Sequence, residues 1–245
     1  MKNELPRKTN GMPNVGLSDL NDFAISILQD SMPQVLESPM ALDVNMFLED
    51  ILGIGVQESR MAYPFIYGCL AFSKLILPID KNDNERINVS NGTLVLNQTL
   101  HSNITRRRFT EAHEASRWLL HREYMDKTEQ KFAFCKGNYS YISGKNDSRE
   151  LGRKNPRVIE NDDEVCEWQA DNLAAALLMP GPTFIPIAKA LMDMYGFTNH
   201  QLVSGSRVHE GRKIVKELAE IFKVSERSVR IRLRTFGMYV GDAKR

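Results

Sequence analysis

Residues 113–121 read HEASRWLLH. His113 and Glu114 open the H-E-x-x-H pattern of a zinc site carried on one helix, but Arg117 stands where the second histidine belongs. The pattern has a mechanical reason. Side chains at i and i+4 stack on one helix face, so two imidazoles reach one ion. The glutamate beside the first histidine is not a ligand and is left to take a proton from metal-bound water. Zinc brings the pKa of that water to about 7. Arg117 removes one ligand and brings a permanent cation to the ion's place. At ~4 Å and an effective dielectric near 20, each unit of like charge costs about 4 kcal/mol, an upper bound for a side chain long enough to swing aside.

The dipeptide alone carries little, because His209-Glu210 repeats it with Lys213 in the corresponding place. Its surroundings carry more. RRRFTEAHEASRWLLH (106–121) is followed about fifty residues on by EWQADNLAAALLMP (167–180). Together they resemble the ImmA/IrrE family of zinc metallo-endopeptidases, whose members read R-F-T-x-A-H-E-x-x-H-x-L-L-H and then E-x-x-A-[ND]-x-x-A-x-x-L-L-M-P. The resemblance spans roughly residues 40–240 and breaks only at Arg117.

That resemblance implies an α+β fold with a zincin-like metallopeptidase core: a small antiparallel sheet plus active-site helices, and a helical, helix-turn-helix-like C-terminal extension. It implies His113 and Glu167 as zinc ligands, Glu114 as the catalytic base, and Asp171 as a partner that orients a ligand. It implies a protein substrate, a helix-turn-helix repressor, whose extended segment would add to the sheet edge near Thr93 to Asn97. With Arg117 in the second ligand position, zinc binding is in doubt and catalysis is expected to be impaired. The simplest outcome is a metal-free site in which Arg117 pairs with Glu114 and Glu167. The alternative is an oxygen-rich ligand set of His113, Glu167 and Asp171. His121 lies about 12 Å along the axis and some 80° round the helix from His113, so it cannot share a metal with it.

The bulk numbers agree with an ordinary globular chain of one or two domains: 245 residues, 26% charged and 42% hydrophobic. Cys69, Cys135 and Cys166 are odd in number and show no C-x-x-C spacing. That points to a reducing, cytoplasmic setting. No run of about 18 apolar residues exists, so no membrane span is expected, and the polar N-terminus lacks a signal-peptide pattern. Net charge is uneven: from Gly205 onward eleven Lys/Arg face five Asp/Glu, whereas the remainder has 21 against 26. A basic end on an acidic body suits an anionic partner or an intramolecular dock.

Along the chain, residues 1–17 read as a disordered lead-in, 18–182 as the peptidase-like core and 183–245 as the helical extension. Ser18 is the expected N-cap of a first helix. ALDVNMFLEDIL reads as a second, with Val44, Phe47 and Ile51 on one stripe. Short β-branched runs follow between 65 and 97, and Asn91-Gly92 predicts a hairpin there. KFAFC and YSYIS are two further candidate strands, and residues 144–157 read as a surface loop. DDEVCEWQADNLAAALLMP is a helix, acidic at its start and stopped by Pro180.

Residues 212–235 predict helix, turn, helix, with Ile214, Leu218, Ile221 and Phe222 on one stripe, Ser225 as a cap, and Val229 and Leu233 continuing the core. Arg227, Arg230 and Arg234 would share one face and are candidate nucleic-acid contacts, as in a helix-turn-helix. DNA is a possible partner but not the favoured one. Three functions therefore compete: a zinc endopeptidase, a non-catalytic protein-binding regulator on the same fold, and a DNA-binding regulator.

Overall fold

The computed structural model describes residues 5–80, 82, 84–129, 161–203 and 207–240, and the backbone course of 132–136. The candidate strand YSYIS and the loop at 144–157 lie outside the described residues. The N-terminal helices are α1 (Leu17–Ser31), α2 (Gln34–Glu37) and α3 (Val44–Met46), the last running into a π-turn at Phe47–Ile51. Strands β1 (Gly55–Ser59), β2 (Ile66–Ala71), β3 (Leu75–Pro78), β4 (Arg86–Val89) and β5 (Thr93–Asn97) follow. Next come α4 (Ile104–Lys127), β6 (Phe132–Lys136), α5 (Asp162–Leu178) and α6 (Gly181–Met194). The chain closes with β7 (Leu202–Val203), α7 (Val208–Phe222), α8 (Glu226–Thr235) and β8 (Tyr239–Val240).

The α+β class holds, but the sheet differs from the expected one. Four strands run in the order β1-β5-β2-β6, with β1 parallel to β5 and the other pairs antiparallel. β3 and β4 form a separate two-stranded sheet. Asn91-Gly92 is therefore not a hairpin turn. It is the corner where the chain leaves one sheet for the other, and Gly92 takes φ +72 there. Its N–H donates to Ala71 and its carbonyl accepts from Gly55, both at 2.9 Å, so the corner ties β2 to the start of β1.

Two local expectations are corrected as well. Gly16, not Ser18, caps α1: the Asp19 carboxylate accepts from its N–H at 2.7 Å. Ile51 is exposed, because the π-turn rotates it off the stripe that buries Val44 and Phe47.

Nor is the lead-in disordered over residues 5–16. Met12 is fully buried. The Arg7 guanidinium donates to the Leu120 carbonyl at 2.8 Å, and the Gln169 amide donates to the Pro13 carbonyl at the same distance. Gly11, at φ +85, passes so close to Glu123 that a Cβ would lie 2.9 Å from a backbone carbon. This segment straps α4 to α5.

The main core is continuous across residue 182. Leu120 of α4, Leu173 of α5, Phe184 of α6, Phe222 of α7 and Leu233 of α8 belong to one buried cluster. The Phe184 and Phe222 rings meet at 5.5 Å. Each such ring contributes roughly 1.5–3 kcal/mol by leaving water, so the C-terminal helices are part of the body rather than an appendage. Among the described residues no single helix is long and apolar enough to cross a membrane.

Candidate functional site

The site forms where α4 crosses α5. On α5 the positions one and two turns beyond Glu167 are Ala170 and Ala174, both fully buried. Helix propensity favours alanine here, and its size lets polar side chains from the two helices meet. Asn103 and Asn161 start the helices by accepting from the N–H groups of Arg106 and Glu164.

The arginines of RRRF hold α4 in place, each by a different contact. Arg106 donates to the Tyr67 hydroxyl and lies over its ring. Arg107 donates to Glu111 at 2.9 Å and to Glu58 of β1 at 2.5 Å. Arg108 donates to the carbonyls of Leu42 and Lys223, which secures the end of α7.

His113, Glu114, Arg117, Glu167 and Asp171 are brought together. The His113 Nδ1 lies 2.9 Å from Asp171 Oδ1. Arg117 Nε donates to His113 Nε2, also at 2.9 Å. An arginine can only donate, so Nε2 is an acceptor and the ring carries its proton on Nδ1, pointed at Asp171. Arg117 Nη2 donates to Glu167 Oε1. The 3.6 Å approach of His113 Nε2 to Glu167 Oε2 is then a contact of two acceptors around one cation, not an ion pair.

Glu114 is fully buried, 3.9 Å from Arg117 Nε, and neither of its oxygens has a hydrogen-bond partner. Burial pushes its carboxyl above the usual range, against the pull of Arg117 and His113. Burial also raises the nearby Cys69 thiol, and the charge of Glu114 adds to the shift. The expected Glu167 pair is present, and the Glu114 pair is a looser approach without a hydrogen bond.

These residues do not fit a zinc ion as arranged. The Nε2 lone pair that would ligate the metal is taken by Arg117, and Glu167 is engaged by the same guanidinium. Asp171 sits on the other ring nitrogen, which also removes the alternative set of His113, Glu167 and Asp171. Among the described residues no group of three His, Cys, Asp or Glu side chains is placed to hold a metal.

His121 is buried one helical turn beyond Arg117. Its Nε2 meets Gln169 Oε1 at 3.0 Å, and burial lowers its pKa to about 3. Through Gln169 it is linked to Pro13 of the N-terminal strap. The sequence signal for this His121–Gln169–Pro13 connection is slight: Met12 between Gly11 and Pro13 in a polar run marks a buried turn.

The sheet edge expected to take a peptide is not an edge. β5 lies between β1 and β2 and is hydrogen-bonded on both sides. Among the described strands, the outer ones are β1 and β6.

In the C-terminal module Ser225 caps α8 by accepting from Ser228 N–H at 3.0 Å. Arg227 is exposed, Arg230 pairs with Glu226 at 2.6 Å, and Arg234 lies over the Tyr239 ring. Arg232 turns inward. It is 2% exposed, donates to the Met179 carbonyl at 3.0 Å and covers the Phe236 ring. Burial lowers its pKa to about 10.

Residues 123–234 match the model of the family Peptidase_M78, the IrrE N-terminal-like domain. The matched span begins beyond Arg117 and takes in Glu167 and Asp171. No curated protein matches the chain.

Proposed function

We propose, from the match of residues 123–234 to the IrrE N-terminal-like domain and from the motifs that resemble the ImmA/IrrE zinc metallopeptidases, that the chain is a regulatory protein that has kept the peptidase fold and lost the cleavage step. One observation carries this reading: Arg117 Nε donates to the His113 Nε2 that zinc would need. With that lone pair occupied and Glu167 held by the same side chain, no activated water is available to attack a peptide carbonyl. Glu114, which would serve as base to such a water, is sealed from solvent.

What the fold retains is the means to recognise a protein. The favoured partner is a helix-turn-helix repressor that is bound and sequestered without being cut. An extended segment of it would pair along β1 or β6 rather than β5, by strand addition. DNA is the less favoured partner, because on α8 Arg230, Arg232 and Arg234 are each engaged within the chain.

The test is to mix the zinc-treated chain with helix-turn-helix repressors of its own cell, following binding by fluorescence anisotropy and cleavage by gel. Binding without new fragments is expected. Zinc-dependent fragments would overturn the reading. A shift with duplex DNA that weakens steeply with salt, in place of protein binding, would favour the DNA-binding alternative.

A further inference from the structure

We infer that the Arg117 guanidinium is a structural replacement for the metal: a built-in cation that ties α4 to α5 through His113 and Glu167, so that the helix pair holds without zinc and is indifferent to chelators. This goes beyond the lost cleavage step, since it assigns Arg117 a task of its own. It also requires no partner, so it can fail while the binding reading stands.

Three observations support it. The guanidinium lies where acceptors from both helices converge, with His113 Nε2 on α4 and Glu167 Oε1 on α5. Arg117 is itself only 4% exposed, so it is packed into the crossing rather than swung out to water. One partner is also oriented: Asp171 meets the far nitrogen of the His113 ring at 2.9 Å, so the acceptor face of the imidazole points at the arginine.

The chemistry of the exchange is coherent. Zinc links helices by drawing lone pairs from each, and a guanidinium presents five N–H donors in a plane to the same lone pairs. A lysine could supply the charge but not two separate, fixed donor directions. A helix crossing that offers such acceptors can therefore be linked by an arginine in place of a dication. Returning a histidine to residue 117 should then return the metal's structural role.

Thermal unfolding of the full chain tests this, comparing the native protein with its Arg117→Ala and Arg117→His variants, each with EDTA and with zinc. The native midpoint is expected to move with neither addition. The R117A midpoint should fall by roughly 3 °C or more and ignore zinc. The R117H midpoint should fall in EDTA and recover on adding zinc. The inference is overturned if R117A melts with the native chain, if the native midpoint follows zinc or EDTA, or if zinc leaves R117H unmoved. Should R117A fail to accumulate as a folded protein, the R117H comparison decides alone. Recovery with zinc supports the replacement, and no recovery overturns it.

Discussion

Arg117 Nε stands 2.9 Å from Nε2 of His113, one helical turn back on the same face of α4. The i, i+4 spacing that would aim two imidazoles at one metal aims an arginine at the first imidazole instead. Glu167 closes the arrangement from α5. The same geometry that serves a metal site here serves an internal ion pair.

Asp171 holds His113 by the nitrogen that faces away from Arg117. In the native chain its removal should matter little, because its side chain is 58% exposed and such pairs contribute about 0–1 kcal/mol. In an R117H background the same carboxylate would orient a metal ligand. There Asp171→Asn should weaken zinc binding by about 10- to 100-fold, read by chelator competition. Equal zinc affinity with and without D171N would show that Asp171 plays no orienting part.

His121 makes stability depend on acid. Its ring is buried without a charge, with a folded pKa of about 3 against an ordinary 6.5. Its contribution is therefore complete above pH 6.5 and lost as pH falls through that window, because only the unfolded chain takes up the proton there. The slope reaches about 1.4 kcal/mol per pH unit for one group. Urea unfolding at several pH values should show a shallower acid limb for His121→Gln than for the native chain. Parallel limbs would show that His121 is not the group being titrated.

Arg232 fastens α8 to the end of α5 through the Met179 carbonyl. Arg232→Ala should lower stability by about 2 kcal/mol, since it leaves a buried carbonyl unpaired and uncovers Phe236. Urea unfolding gives the value directly. A variant as stable as the native chain would mean that α8 is held by its apolar face alone.

Met12 anchors the N-terminal strap with no exposed surface. Met12→Ala should cost about 2–5 kcal/mol, the range for a truncated core side chain, again measured by urea unfolding. A negligible change would show that residues 5–16 contribute nothing to the body of the protein.

Much of this architecture is legible in local sequence. The α5 helix announces itself by its acidic start and its Pro180 stop, α4 by the motif it carries, and their meeting follows from the family resemblance rather than from any local signal. The α7–α8 pair follows from the stripe Ile214, Leu218 and Phe222 and from the Ser225 cap. Three features resist such reading for physical reasons. β1 pairs in parallel with β5 across about forty residues, and parallel pairing needs a crossover that no short pattern declares. Asn91-Gly92 supplies the positive φ that a hairpin requires, but the same backbone freedom serves a corner between two sheets. Arg232 sits at i+3 from Val229, on the buried stripe, yet arginine is so rarely buried that its spacing is easily discounted. At the site itself the expected pairing of Arg117 with Glu167 is found, whereas His113 Nε2 takes the place of the Glu114 carboxylate as its second acceptor, a matter of side-chain geometry that the sequence does not declare.

The most direct measurement is zinc per chain, by elemental analysis, after loading and dialysing the native protein beside Arg117→His. A native chain that keeps well under one zinc, next to a variant that keeps about one, is the predicted result. A native chain that also keeps about one would contradict the account, because Arg117 would then have to leave His113 and Glu167 to the metal.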